Sequence, residues 1–492
     1  MRLEAIPIDI GTTRPLVLLN TVDADELGAH PLDRVRIDRD GTTTTGIVKR
    51  TDELIAPGEV GVTEPLHHLG GSVTVTLAGT PRSVRYIKKK LDDVELTHRE
   101  IETIVADIDN HRLSDVELSA YVSGVYTNGL SLEETKCLTE SMAEIGERLQ
   151  WDRSVVADKH SIGGIAGNCV TPIMVAIVAE AGVTMPKTSS RAVTSPAGTA
   201  DVMEVFCDVE FSTDEIASIV DEVGGCVVWG GGVDLSPVDD EIIRAENPLS
   251  VDPRGQVIAS VLSKKHSVGS THVVIDIPAG EGAKVESLVS ARELADDFKH
   301  VGSHLGMEIT CAITHGTEPI GHGVGPILEA RDVLSVLEGD GPESLRLKSV
   351  RLSDMLLDHC GVDESAVDIL ESGAALDRFR RIVAAQNGDP DLRSDDLTPG
   401  AYSETIRSNR PGIVSRLDNR QLCDLTRRAG APKDAGAGIV LHQTVRNRVD
   451  TDDPLYTIHA EKRSKLEAAV ALSDRLEPIR VRDEADALVE QR

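Results

Sequence analysis

From Val155 onward the chain alternates short apolar runs with helix-like stretches, and glycine clusters stand at the joints. Val273-Val274-Ile275-Asp276-Ile277 is such a run, and 170–181 and 213–223 are such stretches. The glycine-rich joints are 163–167, 230–232, 280–282 and 321–325. This alternation predicts an α/β sheet with glycine loops at strand ends, where α/β folds usually hold ligands. Hydrophobic residues make up 40% of the chain but aromatics only 2%, so the core must be built from Val, Ile, Leu and Ala.

At 492 residues the chain is long enough for about three domains of ordinary size. Residues 1–84 read as β-rich, with β-formers at 3–8, 34–37 and 73–77 between Gly, Asp and Pro, and predict a barrel-like domain used for assembly or positioning. Three capping boxes follow, Thr97/Glu100, Ser114/Glu117 and Ser131/Glu134. In each, a hydroxyl satisfies an orphan amide while the Glu reaches back to the cap. They predict an all-helical domain over 85–155, with an all-helical subdomain over about 97–150. An α/β phosphate- and nucleotide-binding domain is expected over 156–335, with some of its helices packing on the helical domain. Helices resume to about 386, and polar residues 387–402 read as a linker, so 336–402 is helical segment plus linker. Residues 403–492 read as an α+β domain.

Acidic residues number 82 against 51 basic, for a net charge of −31. A field of that sign repels nucleic acid and anionic membranes, so neither is expected as a partner. The acids are spread along the chain, and Arg outnumbers Lys 36 to 15. That fits a solvated shell of the kind salt-loving archaea use, more than an acidic partner-binding face. The cysteines at 137, 169, 207, 226, 311, 360 and 423 show no CxxC or Cys/His ligand spacing, and read as buried thiols of a reducing cytosol. With no signal peptide and no apolar run of membrane-spanning length, a soluble cytoplasmic protein is expected.

Four segments carry chemistry. Asp158-Lys159-His160-Ser161-Ile162-Gly163-Gly164 precedes a helical run. Its glycines let amides converge on an anion, the helix start adds a positive dipole end, and Lys159 and Ser161 add donors. The order is the reverse of a Walker loop, and a glycine pair after a strand can also be a plain tight turn. Ser189 to Asp201 offers five hydroxyls and Arg191 around a Pro196-Ala197-Gly198 kink. Asp252 precedes Pro253 at a helix start, where an N-cap is the structural alternative. Ser260 and Lys264 follow four apart on one helix face. Gly280-Glu281-Gly282-Ala283-Lys284 forms a loop after the strand that includes Ile277.

Taken together these segments resemble the thymidine and pyrimidine-nucleoside phosphorylase family. Asp158–Gly164 is similar to its DKHSTGG motif, and Ser189-x-Arg191 with Gly198-Thr199-x-Asp201 and Glu204 to its SxR…GTxDxxE signature. Ser260-Val-Leu-Ser-Lys264-Lys265 is similar to its SILSKK helix, and the resemblance spans about 85–480. There are departures: no YxxR base-reading segment aligns, Arg244 falling one place off, and Lys284 stands where an apolar residue is usual. Those departures and the extra N-terminal domain resemble the archaeal AMP phosphorylase branch.

The resemblance implies a pentosyltransferase of nucleotide degradation. AMP, with CMP and UMP as further candidates, reacts with phosphate to give the base and ribose 1,5-bisphosphate. It implies phosphate on Lys159, Ser161, Ser189 and Thr199, and the nucleotide on Gly164, Ser190, Arg191, Ala192, Val193, Thr194, Ser195, Thr199, Ser260 and Lys284. Lys284 would meet the 5′-phosphate and Asp252 would be the proton donor. His160 stays open between an assisting and a structural role, and Lys264 is a further candidate. No metal or organic cofactor is expected, and the family implies a homo-oligomer, at least a dimer. Competing readings are a pyrimidine-nucleoside phosphorylase, a phosphoribosyltransferase using Asp201 and Glu204 for magnesium, and a nucleotide sensor without activity.

Overall fold

The computed structural model describes residues 1–483 apart from Thr13, Val193, Thr194, Asp234, Ser250 and the Pro65 side chain. Val193 and Thr194, both expected to bind nucleotide, therefore lie outside the described residues. The fold divides into two compact units. One joins Met1–Ile145 to Ser236–Ser260, and the other joins Gly146–Leu235 to everything from Val261 onward.

The first unit opens with a closed six-stranded barrel. Around it run Arg2–Pro7, Glu59–Val62, Leu16–Asn20, Thr42–Thr51, Arg34–Arg39 and Gly71–Ala78. Two of the pairings are parallel, Arg2–Pro7 with Glu59–Val62 and Leu16–Asn20 with Thr42–Thr51. Alternate residues such as Leu3, Ala5, Val35, Ile37, Val73 and Val75 fill its interior, as the period of two requires. Closure leaves no open sheet edge.

The helical bundle begins at Arg82 and consists of Arg82–Leu91, His98–Asp109, Asp115–Asn128, Leu132–Ile145 and Pro237–Glu246. All three capping boxes form: Glu100, Glu117 and Glu134 accept from the amides of Thr97, Ser114 and Ser131 at 3.0, 2.8 and 2.8 Å. Glu134 does more than cap. Its carboxylate also takes both contacts of the buried Lys90 ammonium at 2.9 Å and the Leu96 amide at 2.9 Å. Buried Arg14 ties barrel to bundle through the Leu113 carbonyl at 2.6 Å and Glu241 at 3.2 Å.

The second unit is built on parallel strands. His272–Ala279 lies between Glu308–His315 and Ala157–Ser161. Met185–Ser189 pairs with Gly225–Trp229, and a single parallel bridge, Val156 to Thr184, joins the two sets. The chain thus lays Ala157–Ser161, Met185–Ser189 and Gly225–Trp229 in one direction. It then returns to the other side of Ala157–Ser161 for His272–Ala279. That reversal is a topological switch point, and the crevice outside the carboxyl ends of its two strands is where such sheets bind ligands.

Helices Thr171–Glu180, Thr213–Val223, Pro326–Glu338, Glu343–His359 and Ala374–Ala385 bury this sheet in one aliphatic core. Within the polar stretch 387–402, the Gly400 amide donates to the Gly436 carbonyl at 2.7 Å. Beyond it, Tyr402–Arg407, Gly438–Leu441, Pro454–Ala460 and Gly412–Leu417 with helices Asn419–Ala429 and Arg463–Ser473 form an α+β region with its own core. Among the described residues no helix is long and apolar enough to cross a membrane.

Candidate active site

The motif Asp158-Lys159-His160-Ser161 is mostly strand rather than loop, since Ala157–Ser161 pairs along His272–Ala279. Successive side chains of a strand point to opposite faces, so the four residues do not act together. Lys159 and Ser161 share one face with Asp276, the register partner of Ser161. The Ser161 hydroxyl donates to Asp276 Oδ2 at 2.9 Å, and Lys159 Nζ lies 3.5 Å from Thr171 Oγ1.

Asp158 and His160 belong to the other face. Buried Asp158 pairs with Lys265 Nζ at 2.9 Å and accepts from Ser270 Oγ at 3.0 Å. Burial, with Lys265, Lys187, Lys159 and Lys264 close by, pushes the His160 imidazole well below its ordinary value, so it is neutral at neutral pH. Sequence adjacency thus joins two separate chemical environments.

The face of Lys159 holds two residues that sequence reading passed over. Asp276 is fully buried and accepts from Thr314 Oγ1 at 2.6 Å, with Lys348 Nζ 2.9 Å away. Burial pushes the Asp276 carboxyl up, but Lys348, Lys159 and Thr314 outweigh it and hold it below the usual carboxylate range. Burial likewise drives Lys159 down to about 8, against the pull of Asp276. A signal for Asp276 was available: it is the one charge inside the apolar run 273–277. Lys348, on the helix Glu343–His359, carried none.

The strand ends lead into loops that touch. After Ser161 the chain turns through Gly163 and Gly164 at φ +83° and +90°. A Cβ on Gly164 would sit 3.1 Å from the Lys284 backbone nitrogen, in the loop that follows His272–Ala279. Gly164 and exposed Lys284, expected on one nucleotide, are thereby brought together at the switch point.

Ser189 ends the neighbouring strand, and exposed Ser190 follows. The loop then folds back, so that a Cβ on Gly198 would meet the Ser190 carbonyl oxygen at 2.5 Å. Asp201 accepts from the Ala192 and Gly198 amides at 2.7 Å each, and Ser195 Oγ donates to the Ala197 carbonyl at 2.7 Å. Thr199 is the first residue of the helix Thr199–Met203. Arg191 is committed within the unit: it binds both Glu204 oxygens at 2.5 and 2.8 Å and Glu210 at 3.1 Å, and lies over the Trp229 ring at 4.9 Å. The Asp201 and Glu204 carboxylates are thus taken up by amides and a guanidinium.

The first unit carries Asp252 and Ser260. Asp252 is exposed, two residues before the helix Arg254–Ser267. Ser260 Oγ donates to Asp239 Oδ2 at 2.8 Å. Lys264 follows one turn later on the same helix, and the division between the units falls between Ser260 and Lys264.

Residues 84–146 match the glycosyl transferase family helical bundle domain and 153–239 its a/b domain. Residues 413–479 match the pyrimidine nucleoside phosphorylase C-terminal domain. The chain is 61% identical over 500 residues to the AMP phosphorylase of Natronomonas pharaonis, covering all of both chains. The chain belongs to the AMP phosphorylase family. Members from Thermococcus kodakarensis and Methanosarcina mazei are 47% and 43% identical, covering 96% and 97% of this chain and 96% of each relative. Among solved structures, the anthranilate phosphoribosyltransferase of Thermus thermophilus shares the fold. It is 16% identical with a TM-score of 0.51, over 61% of this chain and 99% of that one.

Proposed function

We propose that this member of the AMP phosphorylase family performs the phosphorolysis of AMP, giving adenine and ribose 1,5-bisphosphate. The observation that carries the reading is the whole-length identity to relatives named for that activity. It is supported by Lys159 and Ser161 sharing one strand face at the switch point.

In this reading a phosphate oxygen attacks C1′ while the bond from C1′ to the adenine nitrogen breaks. The sugar passes through an oxocarbenium-like state, which the attacking dianion stabilises electrostatically. Lys159, Ser161, Ser189 and Thr199 hold that phosphate, and Gly164 with Lys284 receives the 5′-phosphate. Ser190 to Ser195 line the nucleotide, and Arg191 serves by bracing that loop on Glu204. Asp252 gives its proton to the departing base as the bond to C1′ breaks. Ser260 and Lys264 take the base side. CMP and UMP are further substrates, and the enzyme works as an oligomer, at least a dimer, in the cytoplasm. The barrel serves assembly or positioning.

The test is incubation of the enzyme with phosphate and each of AMP, CMP, UMP and thymidine, with free base measured with and without EDTA. Phosphate-dependent release from AMP, insensitive to EDTA, is the expected result. Preferential release of thymine would return the enzyme to the pyrimidine-nucleoside class.

A further inference from the structure

A buried carboxylate beside donors assigned to an anion is costly twice, because it must be desolvated and it repels the anion. Asp276 nonetheless gathers its partners from four segments. They are Ser161 on one flanking strand, Thr314 on the other, Asn168 Nδ2 at 3.3 Å from the glycine loop, and Lys348 from a covering helix. Such a collection is more than a buried charge needs for neutrality, which Lys348 alone would supply. It places the carboxylate in contact with Ser161 and on the strand face it shares with Lys159.

We propose that Asp276 is the positioning residue of the phosphate site: with Lys348 as its counter-ion, it anchors the Ser161 side chain until that hydroxyl turns its proton to the phosphate, and it keeps a negative charge on the strand face of Lys159. The inference rests on the reading that inorganic phosphate binds Lys159 and Ser161. The groups that bear on the Lys159 ammonium are Asp276, Lys348, the Cys169 thiol, Lys265 and the Thr171 hydroxyl. Burial lowers its proton affinity most; Asp276 opposes that, Lys348 and Lys265 add to it, and Cys169 opposes it. The pair therefore acts in opposite senses. Removing the negative charge of Asp276 makes Lys159 lose its proton at lower pH, and removing the positive charge of Lys348 makes it lose the proton at higher pH.

Equilibrium binding of inorganic phosphate across pH, with kcat and phosphate KM, decides the matter for wild type, Asp276→Asn and Lys348→Met. Phosphate affinity in wild type should fall as pH rises through about 8. Asp276→Asn should move that fall to lower pH and raise phosphate KM roughly tenfold near neutrality, with a smaller change in kcat. Lys348→Met should move it to higher pH. The ionisation of phosphate itself is common to all three proteins.

An unmoved profile in Asp276→Asn, or a shift of both variants in one direction, overturns the proposal. Should Asp276→Asn fail to fold, the direction seen in Lys348→Met decides alone. Wild type that binds phosphate with this profile but frees no adenine from AMP sinks the phosphorolytic reading and leaves the positioning role standing. Wild type that binds no phosphate sinks both.

Discussion

The Lys284 backbone nitrogen stands 3.1 Å from where a Cβ on Gly164 would lie, so the loops after two adjacent parallel strands are in contact. Gly164 also sits at φ +90°, which an L side chain adopts at a cost of about 1–2 kcal/mol. Gly163 has nearly the same φ, +83°, but open space where its Cβ would be. Both Gly→Ala variants should lose similar stability in urea unfolding. Only Gly164→Ala should also lose roughly tenfold or more in kcat/KM for AMP, because it displaces Lys284. Equal activity losses would remove the functional meaning of the contact.

In the proposed reading, Lys284 makes this a nucleotide site rather than a nucleoside one. Lys284→Ala should damage AMP turnover far more than adenosine or uridine turnover, since only the 5′-phosphate contact is lost. A loss on the order of 100-fold on AMP is expected for a charge-assisted contact. Steady-state kinetics on the nucleotide and nucleoside pair provide the comparison, and parallel losses would count against the assignment.

Asp252 is assigned the proton that the leaving base requires. Asp252→Asn keeps the shape and removes the proton, so kcat should drop by about 100-fold or more with KM little changed. A kcat equal to wild type would reduce Asp252 to helix capping.

Arg191 separates direct binding from bracing. Its guanidinium spans Glu204 and Glu210 and lies on Trp229, a geometry an ammonium cannot reproduce. Arg191→Lys should therefore raise the AMP KM several-fold. Glu204→Gln, which removes only the partner, should raise it by a comparable amount if Arg191 acts by holding the loop. A Glu204→Gln enzyme with normal KM would show that Arg191 touches the nucleotide itself.

Local signals in the sequence were strong wherever the physics is local. The capping boxes at Thr97, Ser114 and Ser131 need only four consecutive residues, and all three form. The helices at 171–180 and 213–223 and the strand through 273–277 form where the local residue pattern predicts them. What Glu134 does beyond its cap, in pairing with Lys90, is not local and was invisible.

The site divides along the same line. The residue types at 158–161, 189–201, 260–264 and 280–284, and their spacing, were legible as a phosphorylase-like set from the sequence by itself. Tertiary structure alone decided that Lys159 and Ser161 look away from Asp158 and His160, because strand side chains alternate and the buried partners differ. It alone brought Asp276 and Lys348 to that face, 115 and 187 residues from Ser161, since register between distant strands and helix packing set those contacts. It also folded residues 236–260 into the same compact unit as the bundle and barrel. Nothing local in a chain records which of its distant parts will share a core.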